Sequence, residues 1–341
     1  MANVRVYFAT NRNLLPDNKL EMFGAAFNPD GVAALRFGHA DFTTDGARPR
    51  AVDVYPEEPG DAEFKVLGSE RFLKELHGSM AGSATDTLVF IHGFNVTFMG
   101  ALTAAAELAR EVKIGDHSLN VVLFSWPSDG KAVPLMSYYS DREDARVSGP
   151  AVARAYLKLK EFVSGLKRDD HCQQRLHLLA HSMGNYVLRQ GLQAVCAKDS
   201  KALVRLFDQI ILASPDEDDD AFEDDDKLKC LPALARQVTV YHNPHDLALV
   251  VSDKTKTNPD RLGSDGPRLI DLLPKKVVIV DCRNVAKGAD EKVQHSYYIN
   301  SKAMAQDIGS VLAGTEPERF PNREYIPTRR AWRVIGELPS G

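Results

Sequence analysis

The chain has 341 residues, enough for one large domain with a sizeable core, and 44% apolar against 26% charged residues marks it as globular rather than disordered. A net charge of -5 supplies no basic field for nucleic acid. The start, Met1-Ala2-Asn3-Val4-Arg5-Val6-Tyr7, has no apolar h-region, and no apolar run approaches the length of a membrane helix, so neither a secretory signal nor a membrane span is expected.

Val4 to Ala9 alternates and is β-rich, which predicts an opening strand closed by Asn11-Arg12-Asn13. Ala34 to Phe37 and Ala51 to Tyr55 are short strand candidates between Gly, Pro and Asp turns, an antiparallel addition to a main sheet. In Asp61 to His77 a helical pattern begins at Ser69, with Phe72, Leu73 and Leu76 on one face. Thr87 to Ile91 is a continuous apolar run, as in a strand buried on both faces of a parallel sheet. It runs into His92-Gly93-Phe94-Asn95, and a helix is expected from about Phe98 to Val112. This layout can aim a free backbone N–H at a developing oxyanion, with Gly93 allowing close approach and Phe94 donating. An ordinary strand-to-helix turn looks the same in isolation.

Asn120 to Phe124 is the next buried strand, leading into Ser125-Trp126-Pro127 and on to Tyr138, Tyr139 and Asp141. Trp126 reads as packing for its loop; the two tyrosines could pack or line a pocket. One long helix is expected from about Arg142 to Phe162. Leu176 to Ala180 then has strand character, and Asn185 to Ala197 is helical, with Val187, Leu188, Leu192 and Val195 apolar. Between them His181-Ser182-Met183-Gly184 places a serine in a strand–turn–helix context, with small residues, Ala180 and Gly184, two positions either side. That is the pattern of a nucleophile elbow, whose tight turn excludes larger side chains there. The usual glycine is replaced by Ala180. A serine capping a buried helix is the plainer alternative.

Leu206 to Leu212 is a further strand, followed by an acidic run from Asp216 to Asp226. The run lacks the central Gly and closing Glu of a calcium loop, so a solvated loop of mutually repelling charges is expected. Val238 to Tyr241 is a strand ending at His242-Asn243-Pro244-His245-Asp246, where Asp246 sits as an acid just past a strand end. His242, His245 and Asp246 could instead hold a metal, though no distant fourth ligand is evident. Val277 to Asp281 is the last buried strand; His295 follows in a polar loop, and a helix is expected from about Ser301 to Leu312. The tail beyond Thr315 is rich in Pro and Arg and is expected to wrap the surface or fray. Cys172, Cys196, Cys230 and Cys282 fall in no metal spacing and read as reduced thiols of a cytoplasmic protein.

Taken together, several blocks resemble an α/β-hydrolase, and more narrowly a bacterial branch of esterase-like hydrolases catalogued as a domain of unknown function. They are Val6-Tyr7-Phe8-Ala9-Thr10-Asn11-Arg12, Phe90-Ile91-His92-Gly93-Phe94-Asn95, Phe124-Ser125-Trp126-Pro127-Ser128, Ala180-His181-Ser182-Met183-Gly184-Asn185, Asp246-Leu247-Ala248-Leu249 and His295-Ser296-Tyr297-Tyr298. The resemblance implies an α/β-hydrolase fold: a mostly parallel sheet flanked by helices, with extra N-terminal antiparallel strands. It would form a single domain over residues 1–313, residues 1–80 being its strand extension and 314–341 a tail. It implies Ser182 as nucleophile, Asp246 as acid and His295 as base, in the chain order nucleophile, acid, base. The N–H groups of Phe94 and Met183 would form the oxyanion hole; His92, Gly93, Asn95, His181, Trp126, Tyr138 and Tyr139 are candidates to line the pocket. A small-molecule ester is the expected substrate, with no cofactor, metal, nucleic acid or membrane span required. Rival readings are an amide, carbamate or thioester hydrolase on the same triad, and a hydrolase fold used only for binding.

Overall fold

The computed structural model describes residues 4–18, 21–56, 67–128, 134–167, 170–249, 260–285 and 292–336. In chain order the strands are β1 (Val4–Thr10), β2 (Arg12–Leu14), β3 (Phe23–Phe27), β4 (Arg36–Phe42), β5 (Ala51–Tyr55), β6 (Thr87–Ile91), β7 (Asn120–Ser125), β8 (Leu176–His181), β9 (Phe207–Ala213), β10 (Ala235–His242), β11 (Val277–Asp281), β12 (Arg323–Ile326) and β13 (Ala331–Val334). Eleven of them form one sheet in the order β12-β13-β11-β10-β9-β8-β6-β7-β1-β4-β5, and β2 pairs with β3 apart. From β13 to β1 every neighbouring pair is parallel; β4, β5 and β12 are antiparallel additions at the edges. The parallel strands read as unbroken apolar runs because both of their faces are covered by helices.

Those helices are α1 (Gly68–Ser83), α2 (Phe98–Glu111), α3 (Pro134–Val147), α4 (Gly149–Gly165), α5 (Gly184–Asp199), a short one at Tyr297–Asn300 and another at Lys302–Leu312. Side-chain alternation along each strand splits the core into two layers. Leu88, Phe90, Val121 and Leu123 pack toward α2 and the helix Lys302–Leu312. Ile91, Val122, Phe124 and Leu178 pack toward α1, α4 and α5. Among the described residues, no helix is long and apolar enough to cross a membrane.

Three expectations change. The single helix from Arg142 to Phe162 is two, α3 and α4, broken at Ser148, because Pro150 is tolerated only in the first turn of a helix. The residues beyond 313 do not merely wrap or fray. β13 lies parallel to β11 and β12 closes the edge, so the sheet continues to Val334. The arginines that made this stretch look solvated are consumed by buried carboxylates, Arg323 on Asp307 at 2.6 Å and Arg333 on Asp281 at 3.1 Å.

The acidic run is also not a solvated loop. Asp216, Glu217 and Asp219 are buried. Glu217 pairs with Arg189 of α5 at 3.1 Å, Asp218 with Arg261 and Lys227, and Glu223 with Arg268 at 2.8 Å. Most of the compensating cations lie tens of residues away in sequence, beyond the reach of local charge patterning. The start of the segment Asp61 to His77 falls outside the described residues, and α1 begins at Gly68.

Candidate active site

The site assembles beyond the C-terminal ends of β6, β8, β9 and β10. Ser182 follows β8 directly and precedes α5, with φ of 53°, a left-handed conformation that costs a serine of order 1–3 kcal/mol and persists only where its surroundings enforce it. Its N–H donates to Ala213 O (3.0 Å), and its carbonyl accepts from the N–H of Asn185 (3.0 Å) and Asp216 (3.2 Å). The buried Asn185 amide adds Nδ2 bonds to Ala180 O (3.1 Å) and Ser182 O (3.0 Å), tying both sides of the turn together. A Cβ at Gly184 would lie 2.6 Å from the carbonyl oxygens of both Ile91 and His92, so the close approach of α5 to β6 demands glycine. Ala180 is fully buried in β8 without such conflict, which explains how alanine stands in the usual glycine position.

The loop after β6 brings Gly93 over the serine: a Cβ there would be 3.0 Å from Ser182 Cβ. Among the described residues, no acceptor meets the backbone N–H of Phe94 or of Met183. Asn95, at φ of 57°, is held from behind, its N–H donating to Asp141 Oδ2 (2.7 Å), which also accepts from Ser128 Oγ (2.5 Å). His92 is buried beneath this loop and stacked on Trp126 with centroids 5.3 Å apart. Its Nδ1 lies 2.7 Å from Gly93 O, and its Nε2 accepts from the Trp126 N–H at 3.3 Å. Burial, helped by the Arg12 guanidinium, pushes the imidazole down to about 3, so it is neutral and donates from Nδ1. Arg12, also buried, bonds Ser125 Oγ (2.9 Å), Ser128 O (3.1 Å) and Val96 O (2.8 Å), locking the loops after β6 and β7 together.

Asp246 and His295 meet, although 49 residues apart, with Oδ2 to Nδ1 at 2.7 Å. Asp246 is fixed by its other oxygen, which accepts from the N–H groups of Ala248 (3.1 Å) and Leu249 (3.3 Å). The carbonyl of His295 accepts from Ser214 Oγ (3.3 Å) and from His181 Nε2 (3.2 Å). The His181 ring lies against those of His295 (4.7 Å) and Tyr298 (4.3 Å). Burial and then the neighbouring His295 hold His181 well below the ordinary histidine range, so it too is a neutral donor. Asp216, another carboxylate just past a strand end, is occupied elsewhere: its Oδ2 accepts from Tyr138 Oη (2.8 Å), with Arg142 at 3.8 Å.

Of the candidate pocket residues, Trp126 and His92 are buried supports, and Tyr138 is buried between Phe94 and Asp216. Asn95 and Tyr139 reach solvent. His245 is exposed, whereas His242 is buried with Nδ1 on Ser264 O (3.1 Å). The supports Asp141, Ser214 and Arg12 escaped the sequence reading because each acts through hydrogen bonds to distant backbone, which leave no local pattern.

Comparison with known proteins adds three findings. A family model described as "Alpha/beta hydrolase of unknown function (DUF900)" matches residues 70–311. An uncharacterized protein of Nostoc sp. strain PCC 7120 is 31% identical over 128 residues, covering 31% of this chain and 30% of that one, so the match spans less than a third of that relative's length. A crystal structure of Aspergillus fumigatus lipase B aligns with 47% of this chain and 32% of its own at 15% identity, with a TM-score of 0.25.

Proposed function

From the premise that this chain belongs to the alpha/beta-hydrolase family whose model spans residues 70–311, we propose that it is a serine hydrolase of carboxylic esters with small or medium acyl groups. What supports this reading is an elbow serine at φ of 53° whose neighbour His181 lies against His295, itself coupled to Asp246 at 2.7 Å. Ser182 Oγ attacks the ester carbonyl while His295 Nε2 takes its proton. Asp246 holds the Nδ1–H tautomer and stabilises the imidazolium. The N–H groups of Phe94 and Met183 stabilise the oxyanion, each worth roughly 3 kcal/mol of barrier. The imidazolium protonates the departing alcohol; water, deprotonated by His295, then releases the acid from the acyl-enzyme. No step calls for a metal or organic cofactor.

A panel of p-nitrophenyl acetate, butyrate and octanoate, with thioester and anilide analogues, tests the proposal. Ester turnover that survives EDTA dialysis and disappears in Ser182→Ala is the expected result. Turnover that persists in Ser182→Ala, or is lost to EDTA and restored by zinc, would overturn it.

A further inference from the structure

On the face of the sheet covered by α1, α4 and α5, the helices do not close the core completely. A cavity of about 120 Å³ lies between them and the strands, lined almost wholly by apolar side chains such as Phe72, Ile91, Phe124, Val152 and Leu192. It runs alongside β6 from Thr87 to Ile91, about 13 Å at roughly 3.3 Å per residue, the reach of a hydrocarbon chain of around ten carbons. A second cavity of about 330 Å³ shares Leu73, Leu76, Leu159, Leu176 and Phe207 with the first, so the two adjoin across these flexible side chains. It lies at the N-terminal ends of β8, β9 and β10, across the sheet from Ser182.

The lining changes character at this outer end. Arg175, Arg205 and Arg236 line it together with one carboxylate, Asp208, and with His77 and His171. Asp208 is engaged by Arg236 at 2.8 Å and Arg175 at 3.8 Å, whereas Arg205 is exposed and makes no ion pair among the described residues. His77 Nε2 is buried without a hydrogen-bond partner, its ring edge-on to Phe162 at 5.9 Å. A buried unpaired nitrogen beneath surplus positive charge suits an anionic acceptor. An apolar cavity of comparable size in another protein stays dry and takes up nonpolar guests.

We propose that this pair of cavities binds a single-chain fatty acid anion, its hydrocarbon running from the outer cavity past Leu73 and Leu76 so that its end reaches the inner one, and its carboxylate among Arg205, Arg236 and His77. The cationic rim selects an anion over a neutral or cationic amphiphile, and the narrow inner cavity selects one flexible chain. The site is separate from Ser182, and its occupancy does not depend on the hydrolase reading.

Isothermal titration of the full chain with decanoate tests the assignment, with decyltrimethylammonium and 1-decanol as matched probes. Decanoate should bind saturably at one site, and decyltrimethylammonium should not. Arg205→Glu, at an exposed position, should weaken decanoate about fivefold and leave 1-decanol unchanged, the scale of one exposed charge interaction. Leu73→Trp should fill the junction of the two cavities and remove binding while the circular dichroism and melting temperature stay near the parent's. Ser182→Ala should bind decanoate as the parent does. Absence of saturable decanoate binding, equal binding of the cationic probe, indifference to Arg205→Glu, or loss in Ser182→Ala would each overturn the proposal.

Discussion

Gly184→Ala probes the link between the elbow and the sheet. The added Cβ would sit 2.6 Å from the Ile91 and His92 carbonyl oxygens, where ordinary contact begins near 3.4 Å. The difference, 3.4 minus 2.6, is 0.8 Å, and because both obstacles are backbone, α5 must retreat from β6 by about that amount. Overpacking of this kind typically costs about 1–3 kcal/mol. The same retreat moves Ser182 and the Met183 N–H off the geometry needed for attack, and a misplacement near 1 Å costs on the order of 100-fold in rate. Urea unfolding should show the stability loss, and kcat/KM for p-nitrophenyl butyrate should fall by one to two orders of magnitude in protein that remains folded. Ala180→Gly is the matched control, because it restores the usual small residue without a clash; it should cost no more than about 1 kcal/mol and spare turnover. If Gly184→Ala matched the parent in both stability and rate, the packing of the elbow against β6 would be misread.

Three further outcomes are expected. Asp246→Asn should keep the fold and lower kcat by about 10⁴ through the wrong His295 tautomer, while Asp216→Asn, whose carboxylate serves Tyr138 and Arg142, should be mild; the reverse ranking would reassign the acid. Asp141→Ala removes the anchor of the Asn95 N–H and should lower kcat by roughly 10²-fold, the scale of one oxyanion donor, with KM for the same ester little changed; parent-like kcat would detach this anchor from the chemistry. Burial lowers His92 from 6.5 to about 3, so below pH 6.5 the unfolded chain binds a proton that the folded one does not. Its contribution is complete above pH 6.5 and is lost as pH falls toward 3, about 3 kcal/mol by pH 4.5 at roughly 1.4 kcal/mol per pH unit. His181 and His242 are shifted in the same direction by burial and add to the loss, so a stability measured by urea that stays flat from pH 7 to 4.5 would contradict the buried-histidine picture.

The parallel core was legible because strands covered on both faces must be apolar throughout, as Thr87–Ile91 and Val277–Asp281 are. The elbow was legible because its turn demands small residues at fixed offsets, met by Ala180 and Gly184. What escaped had long-range causes. The break between α3 and α4 turns on one proline near the start of the second helix, and β13 declares itself only through its pairing with β11. The acidic run looked self-repelling because Arg189, Arg261 and Arg268 arrive from other segments. The supports of the site were hidden for a similar reason: Arg12 acts 113 residues away on Ser125, and Asp141 acts 46 residues away on Asn95.

The proposed role of Ser182 as nucleophile is open to covalent labelling. The full chain is treated with a fluorophosphonate, digested, and the adduct located by tandem mass spectrometry. A single stoichiometric adduct on the Ser182 peptide is expected, formed far more slowly in Asp246→Asn. An adduct on Ser125, Ser214 or Ser296 instead, or no adduct under conditions that fully label a control esterase, would contradict it.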